Sequence, residues 1–170
     1  DVVVVGSGNG ALTSALCSHD GGAKTLVIEK STQFGGTSAT SGGGVWIPNN
    51  RYAKAENVDD SDHDARNYIN SVSPAGKIKD ELIETYLSEG PKMVDYLHEN
   101  SQVKYRNLAH YPDYFPDNPG GKAGNRSMEP EPIDGTILGD DLGRLREQHP
   151  QTAFTTVSYT HLTLPTIQNV

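Results

Sequence analysis

Gly6, Gly8 and Ala11 stand in the spacing G-x-G-x-x-A, directly after the hydrophobic run "VVVV" and before Leu12, Ala15 and Leu16, which continue from Ala11 at helical intervals. That spacing suits phosphate binding. Gly6 permits a tight turn, Gly8 lets the backbone approach a pyrophosphate, and the small Ala11 allows close packing of helix on strand. A helix starting here points its unpaired N–H groups and positive dipole end at an anion. Glu29 follows 18 residues after Ala11, at the end of a second predicted strand, "TLVIE", where its carboxylate can accept hydrogen bonds from ribose hydroxyls. Strand, glycine turn, helix, strand and acidic residue together predict a dinucleotide site.

A second Gly/Ser/Thr-rich run, "FGGTSATSGGG", comes straight after the acidic residue. A simple nicotinamide-binding unit has no evident use for it. Backbone amides at Gly35, Gly36, Thr37 and Ser38 can meet phosphate oxygens, while hydroxyls at Thr37, Ser38 and Ser41 can meet polar edges. Gly42 to Gly44 let backbone lie against a flat ring system. A flexible linker is the competing reading, but Trp46, Ile47 and Pro48 follow at once and linkers seldom end in a buried aromatic. The expectation is a flavin.

These groups must be positioned by elements that the sequence also signals. Val2 to Val5 suit a parallel strand buried on both faces. A helix follows and stops at Gly21-Gly22, and a right-handed crossover sets the two strands side by side. Residues 30–50 read as a long structured loop or broken helix. "DDSDHDARNYINSV" reads as a capped helix with Ala65, Tyr68, Ile69 and Val72 on one face. A second helix runs from about Ile78 to Glu89, with Leu82, Ile83, Tyr86 and Leu87 inward and Gly90-Pro91 ending it; a third covers Lys92 to Asn100. "QVKYRNL" is a candidate strand, and Tyr111 to Gly139 is Pro/Gly-rich irregular chain. The predicted fold class is α/β: a Rossmann-like FAD-binding βαβ unit with a helical insertion and a long Pro/Gly-rich loop region, an incomplete domain. Its expected parts are a nucleotide-binding core over about 1–50, a helical segment over about 59–100 and the start of a substrate-side region over about 103–155.

"VVVVGSGNGAL", "VIEKSTQFGGTSATSGGGVWIPNN", "GPKMVDYLHEN" and "YPDYFPDNPGGKAGNRSMEPEPIDG" occur in that order. Together they resemble the 3-ketosteroid Δ1-dehydrogenases, flavoproteins of the fumarate reductase and succinate dehydrogenase flavoprotein superfamily. The resemblance implies FAD, no metal, and removal of two hydrogens from C1 and C2 of a 3-ketosteroid. It places FAD binding on Gly6, Ser7, Gly8, Asn9, Gly10, Ala11, Glu29, Lys30, Gly36, Thr37, Ser38, Ser41, Gly42 and Gly43. It also implies a catalytic Tyr114 in "PDYF", beside the flavin and assisting a second tyrosine that acts as base; Tyr111 is the competing candidate. The base and the groups that polarise the 3-keto oxygen are expected further along a longer chain, so little turnover is expected of these residues alone. A fumarate reductase-type flavoprotein acting on an unsaturated acid and a non-catalytic nucleotide-binding module are the alternatives.

Composition narrows the remaining classes. A net charge of −8 and the lack of any basic run argue against nucleic-acid or anionic-membrane surfaces. No stretch approaches the apolar length of a membrane span, and the partners expected are a small hydrophobic substrate and an electron acceptor. A single cysteine, Cys17, excludes an internal disulfide framework and makes a cytoplasmic setting the default. His63, His98, His110, His149 and the carboxylates of "DDSDHD" match no metal-ligand spacing, so no metal is expected. With only 34% hydrophobic residues, 18 Gly and 10 Pro, the core is thin, and exposed apolar patches are expected where further chain would cover it.

The closing "TTVSYTHLTLPTIQNV" holds no Asp, Glu, Lys, Arg or Gly, although the chain has 14 basic and 22 acidic side chains before it. A last strand closed by Pro165 is one reading. The other is reverse translation: GTC TCT TAT ACA CAT CTG ACG CTG CCG ACG encodes "VSYTHLTLPT" and resembles a transposase adapter used in short-read library preparation. Residues 156–170 are therefore expected to be a non-native tail, and both ends of the chain to be internal to a longer protein.

Overall fold

The computed structural model describes residues 1–148, and the segment read above as translated adapter lies outside them. The described residues form two compact units: 1–43 together with 134–148, and Gly44–Ile133.

The first unit is built on strand β1 (Val2–Val5), helix α1 (Asn9–Asp20) and strand β2 (Thr25–Ile28). β1 and β2 pair in parallel, Val2 opposite Thr25 through Val5 opposite Ile28, as the crossover rule requires. Helix α1 ends at Gly21, and Gly6 turns the chain out of β1 with φ +99. One expectation needs correcting. β1 is not buried on both faces: Val4 is buried, whereas Val3 is 60% and Val5 78% exposed. Side chains alternate along a strand, and among the described residues α1 packs on one face only. Leu26 and Ile28 of β2 are likewise exposed. A short 3-10 turn, Ser38–Thr40, follows β2, and a longer one, Gly135–Arg144, is kinked at Gly139. Phe34 pairs with Leu145 through Phe34 N–H to the Arg144 carbonyl and Arg146 N–H to the Phe34 carbonyl, both 2.9 Å.

The second unit combines helices α2 (Arg51–Ala55), α3 (Asp62–Val72) and α4 (Asp80–Asn100) with a sheet of β3 (Val45–Trp46), β4 (Tyr105–Asn107) and β5 (Ser127–Pro130). The sheet order is β3-β5-β4, antiparallel throughout. Helix α3 starts at Ser61, whose hydroxyl accepts from Asp64 N–H at 3.0 Å, and Asp62 and Asp64 in its first turn complement the dipole. Asn50 caps α2 in the same way, accepting from the N–H groups of Tyr52 and Ala53. That short helix is not anticipated by the sequence reading.

Three local expectations fail here. Gly90-Pro91 does not end a helix: α4 runs through it, with Pro91 inside. Ile83, Leu87, Val94 and Leu97 are all buried, and Gly90 falls between them on the same stripe. The apolar register is therefore continuous, and the glycine serves packing: a Cβ at Gly90 would stand 3.3 Å from Ile47 Cδ1. Leu82 and Tyr86 are exposed rather than inward, as is Val72, because the stripe is narrower than the apolar composition suggests. Finally, Tyr111 to Gly139 contains β5, the central strand of the sheet. Met128 and Glu129 on it are fully buried, and Arg106 of β4 donates from Nε and Nη2 to Glu129 Oε1.

Candidate functional site

In the first unit the glycine turn, the end of β2 and the second glycine run converge on one side chain. Ser7 is buried, donates from its hydroxyl to Glu29 Oε2 at 2.5 Å, and accepts from Gly35 N–H at 2.9 Å. A hydroxyl has one proton to give. Ser7 therefore gives its proton to Glu29 and ties three segments together. Glu29 also accepts from Ser31 N–H at 3.0 Å. The Ser7 hydrogen bond, and next the Ser31 amide, hold the Glu29 carboxyl below its usual pKa. Each carboxylate oxygen keeps a lone pair, so the ionised group can still accept from a ligand hydroxyl.

Helix α1 begins at Gly8, which has no side chain to cap it. Asn9 N–H donates to Ser38 Oγ at 3.0 Å, so the 3-10 turn is fastened to the helix start. The next amides, Gly10 and Ala11, belong to the first turn, whose N–H groups have no intrahelical acceptor. Gly36 sits at φ +57, and a Cβ there would lie 3.3 Å from Gly8 Cα. Backbone meets backbone at that point. The residues thus leave the amides of Gly10 and Ala11 at a helix N-terminus, with a carboxylate at the end of the neighbouring strand. Those groups fit a pyrophosphate and a ribose.

The other sequence-derived residues fall around this knot. Lys30 is exposed, and Thr37 precedes the 3-10 turn, its carbonyl accepting from the Thr40 hydroxyl. Ser41 Oγ accepts from Gly43 N–H at 2.9 Å, and nothing lies within 4 Å of where a Gly42 Cβ would be. Of the hydroxyls expected to meet polar edges of a ligand, Ser38 accepts from Asn9 N–H and Ser41 from Gly43 N–H, so both brace the loops. Sequence reading missed the Phe34–Leu145 pairing; 111 positions separate its two residues, so no local pattern announces it.

The lowered pKa of Glu29 carries a pH prediction. A depressed carboxyl contributes stability above its unfolded value near 4.5, and that contribution is lost as pH falls through the depressed folded value. Acid unfolding of the first unit is expected to show this step, and Glu29→Gln is expected to remove it in a circular-dichroism titration from pH 6 to 2. Retention of the step in the variant would assign it elsewhere.

Tyr114 belongs to the second unit. Its neighbour Asp113 is buried, while Tyr114 itself is 84% exposed. The loop around it is anchored: Asp113 accepts from Trp46 Nε1 at 2.6 Å, from Arg126 Nη1 at 2.9 Å and from Lys122 N–H at 2.9 Å. Tyr111 is partly buried and donates its N–H to the Leu108 carbonyl. Arg126 is 2% exposed. Burial opposes its charge, but the hydrogen bonds and charges of Asp60 and Asp113 outweigh that and raise its pKa. Among the described residues no group of three His, Cys, Asp or Glu side chains is arranged to hold a metal, and no helix is long and apolar enough to cross a membrane.

Fold and cradle define a dinucleotide-binding protein, and the chain belongs to the FAD binding domain family, which matches residues 1–170. The expectation of flavin over nicotinamide holds. The chain is similar to the 3-oxosteroid 1-dehydrogenase of Mycolicibacterium smegmatis, 44% identical over 142 residues, which is 84% of this chain and 25% of that protein. It is also similar to the 4-oxocyclohexanecarboxylate 2-dehydrogenase of Sinomonas cyclohexanicum, 39% identical over 86% of this chain and 25% of that protein. Among solved structures, the 3-ketosteroid delta1-dehydrogenase from Sterolibacterium denitrificans in complex with 1,4-androstadiene-3,17-dione superposes with a TM-score of 0.82. That match has 43% identity and covers 89% of this chain and 27% of the other. The chain spans about a quarter of the length of the relatives it matches.

Proposed function

We propose that this segment is the flavin-binding part of an enzyme that introduces a ring double bond next to a ketone, with a 3-ketosteroid as substrate. The observation that carries the reading is the match to the Sterolibacterium structure at 43% identity and a TM-score of 0.82, over a chain whose own cradle residues fit FAD. Bound FAD would supply a two-electron, hydride-accepting ring. The amides at Gly10 and Ala11 would hold its pyrophosphate, Glu29 its ribose, and the Gly42–Gly43 backbone would lie against its flat part. A carbon α to the ketone loses a proton, the adjacent carbon loses a hydride, and the electrons of the C–H bond broken at the α carbon become the new C=C bond. Tyr114 would assist the proton step as a polar neighbour to the base. A phenol with a pKa near 10 needs such help at neutral pH.

A second reading with the same chemistry is a smaller cyclic ketone, favoured by the 39% identity to the Sinomonas enzyme. An electron acceptor must reoxidise the flavin in either case, and a cytoplasmic setting is the reading that the lone Cys17 supports.

The test is turnover by the full-length protein carrying this segment, with a 3-ketosteroid and an artificial electron acceptor, followed by appearance of the conjugated dienone. Tyr114→Phe is expected to lower kcat about 100-fold, the lower range for loss of a proton-transfer group. Reduction of fumarate by the reduced protein, with no steroid turnover, would sink the proposal. Preference for 4-oxocyclohexanecarboxylate would select the second reading.

A further inference from the structure

Arg126 lies in the core of the second unit, and its charge has no part in the flavin cradle. Its Nε and Nη2 donate to Asp60 at 3.0 and 2.7 Å, and its Nη1 donates to Asp113 at 2.9 Å and to the Gly120 carbonyl at 2.8 Å. The guanidinium also lies over the rings of Trp46 and Tyr68, with ring centroids at 5.5 and 5.8 Å. One fork therefore joins the chain before α3 to both arms of the loop that carries Tyr114.

That loop is closed at its base by a reciprocal pair: Asp113 N–H donates to the Lys122 carbonyl at 3.0 Å, and Lys122 N–H returns to the Asp113 carboxylate at 2.9 Å. On the other side of Tyr114, Phe115 N–H donates to the Tyr68 hydroxyl at 3.2 Å. An exposed side chain receives no placement from packing, so the position of the Tyr114 phenol depends on where its backbone is held. Here the backbone is held one residue before and one residue after it. We infer that Arg126 and Asp113 are positioning residues for Tyr114, fixing the loop so that its phenol is presented at a set place for substrate. This rests on the proposed role of Tyr114. A lysine at 126 could not do the same, since a single ammonium cannot match two carboxylates and a carbonyl in a fixed fork.

The experiment uses the full-length flavin-loaded protein with 4-androstene-3,17-dione, comparing Arg126→Lys, Tyr114→Phe and the double variant. Arg126→Lys is expected to lower kcat about tenfold or more with KM within about twofold, since misplacement by an ångström is that damaging. Flavin absorbance should be unchanged. In the Tyr114→Phe background the same substitution should lower kcat by less than about twofold, because the two act through one group. Amide exchange over residues 113–122 should rise about tenfold relative to α4. An equal loss of kcat in both backgrounds, or unaltered exchange over the loop, would overturn the inference. If Tyr114→Phe leaves kcat intact, the catalytic reading of Tyr114 fails on its own, while the exchange measurement still decides whether Arg126 fixes the loop. Trp46→Phe removes one donor to Asp113 and keeps a ring against Arg126; it carries the same expectations should Arg126→Lys not fold.

Discussion

Arg126→Met is expected to destabilise the second unit by about 3 to 5 kcal/mol, the range for leaving buried charge without its partner. Methionine fills much of the volume, so the loss is electrostatic rather than a cavity. The Asp60 and Asp113 side chains, 5% and 2% exposed, would remain in the core with no cation between them. They cannot simply relax into water, because Asp60 also accepts from Ser61 N–H and Asp113 from Trp46 and Lys122. The measurement is the urea dependence of amide exchange at residues 62–72 and 127–130 in the full-length protein, which reads the second unit by itself. A companion result makes the cause specific: adding Asp60→Asn and Asp113→Asn to Arg126→Met should recover a substantial part of the loss. If the triple variant is the least stable of the set, shape rather than charge governs this core.

The second large effect concerns the cofactor. Gly36→Ala is expected to weaken FAD binding roughly 30- to 150-fold, from about 2 to 3 kcal/mol of combined left-handed strain and overpacking. A methyl group at φ +57 would press at 3.3 Å on Gly8 Cα. Gly8 is the start of α1 and follows the braced Ser7, so it has little room to retreat. Loss appears as flavin fluorescence released on dilution of the purified protein. Gly143→Ala is the control: nothing lies within 4 Å of its Cβ position and it is outside the cradle, so near-normal retention is expected. Equal losses in both would mean that general loosening of the first unit, and not the Gly8–Gly36 approach, sets affinity.

How legible these features are in the sequence follows their range along the chain. The βαβ unit is written in contiguous residues: a hydrophobic run, a glycine turn, a helical repeat and a second run. It emerges with matching strand register. Glu29 is legible because the fingerprint fixes its distance from the glycines. Arg126 is not, since its partners Asp60 and Asp113 lie 66 and 13 positions away and no spacing rule joins them. The buried Glu129 hides for the same reason, as its cation is Arg106, 23 positions back. The error at Gly90-Pro91 is different in kind. A local stop signal was in conflict with a stripe running from Ile83 to Leu97, and burial of four side chains prevailed over one missing backbone donor.

The pairing of β3 with β5 has a consequence for how the chain folds. Val45 stands opposite Met128 in an antiparallel pair, so the chain enters and leaves the second unit at the same end of one short sheet. Once those strands pair, the 82 residues between Val45 and Met128 no longer count toward the loop that the first unit must close. Phe34 can then meet Leu145 without closing the full contour between them. Since each doubling of an open loop adds about 0.6 kcal/mol of closure entropy, an early β3-β5 pairing makes the flavin cradle cheaper to complete. The contact order that matters for the cradle is accordingly set by the insert, which would be expected to form first.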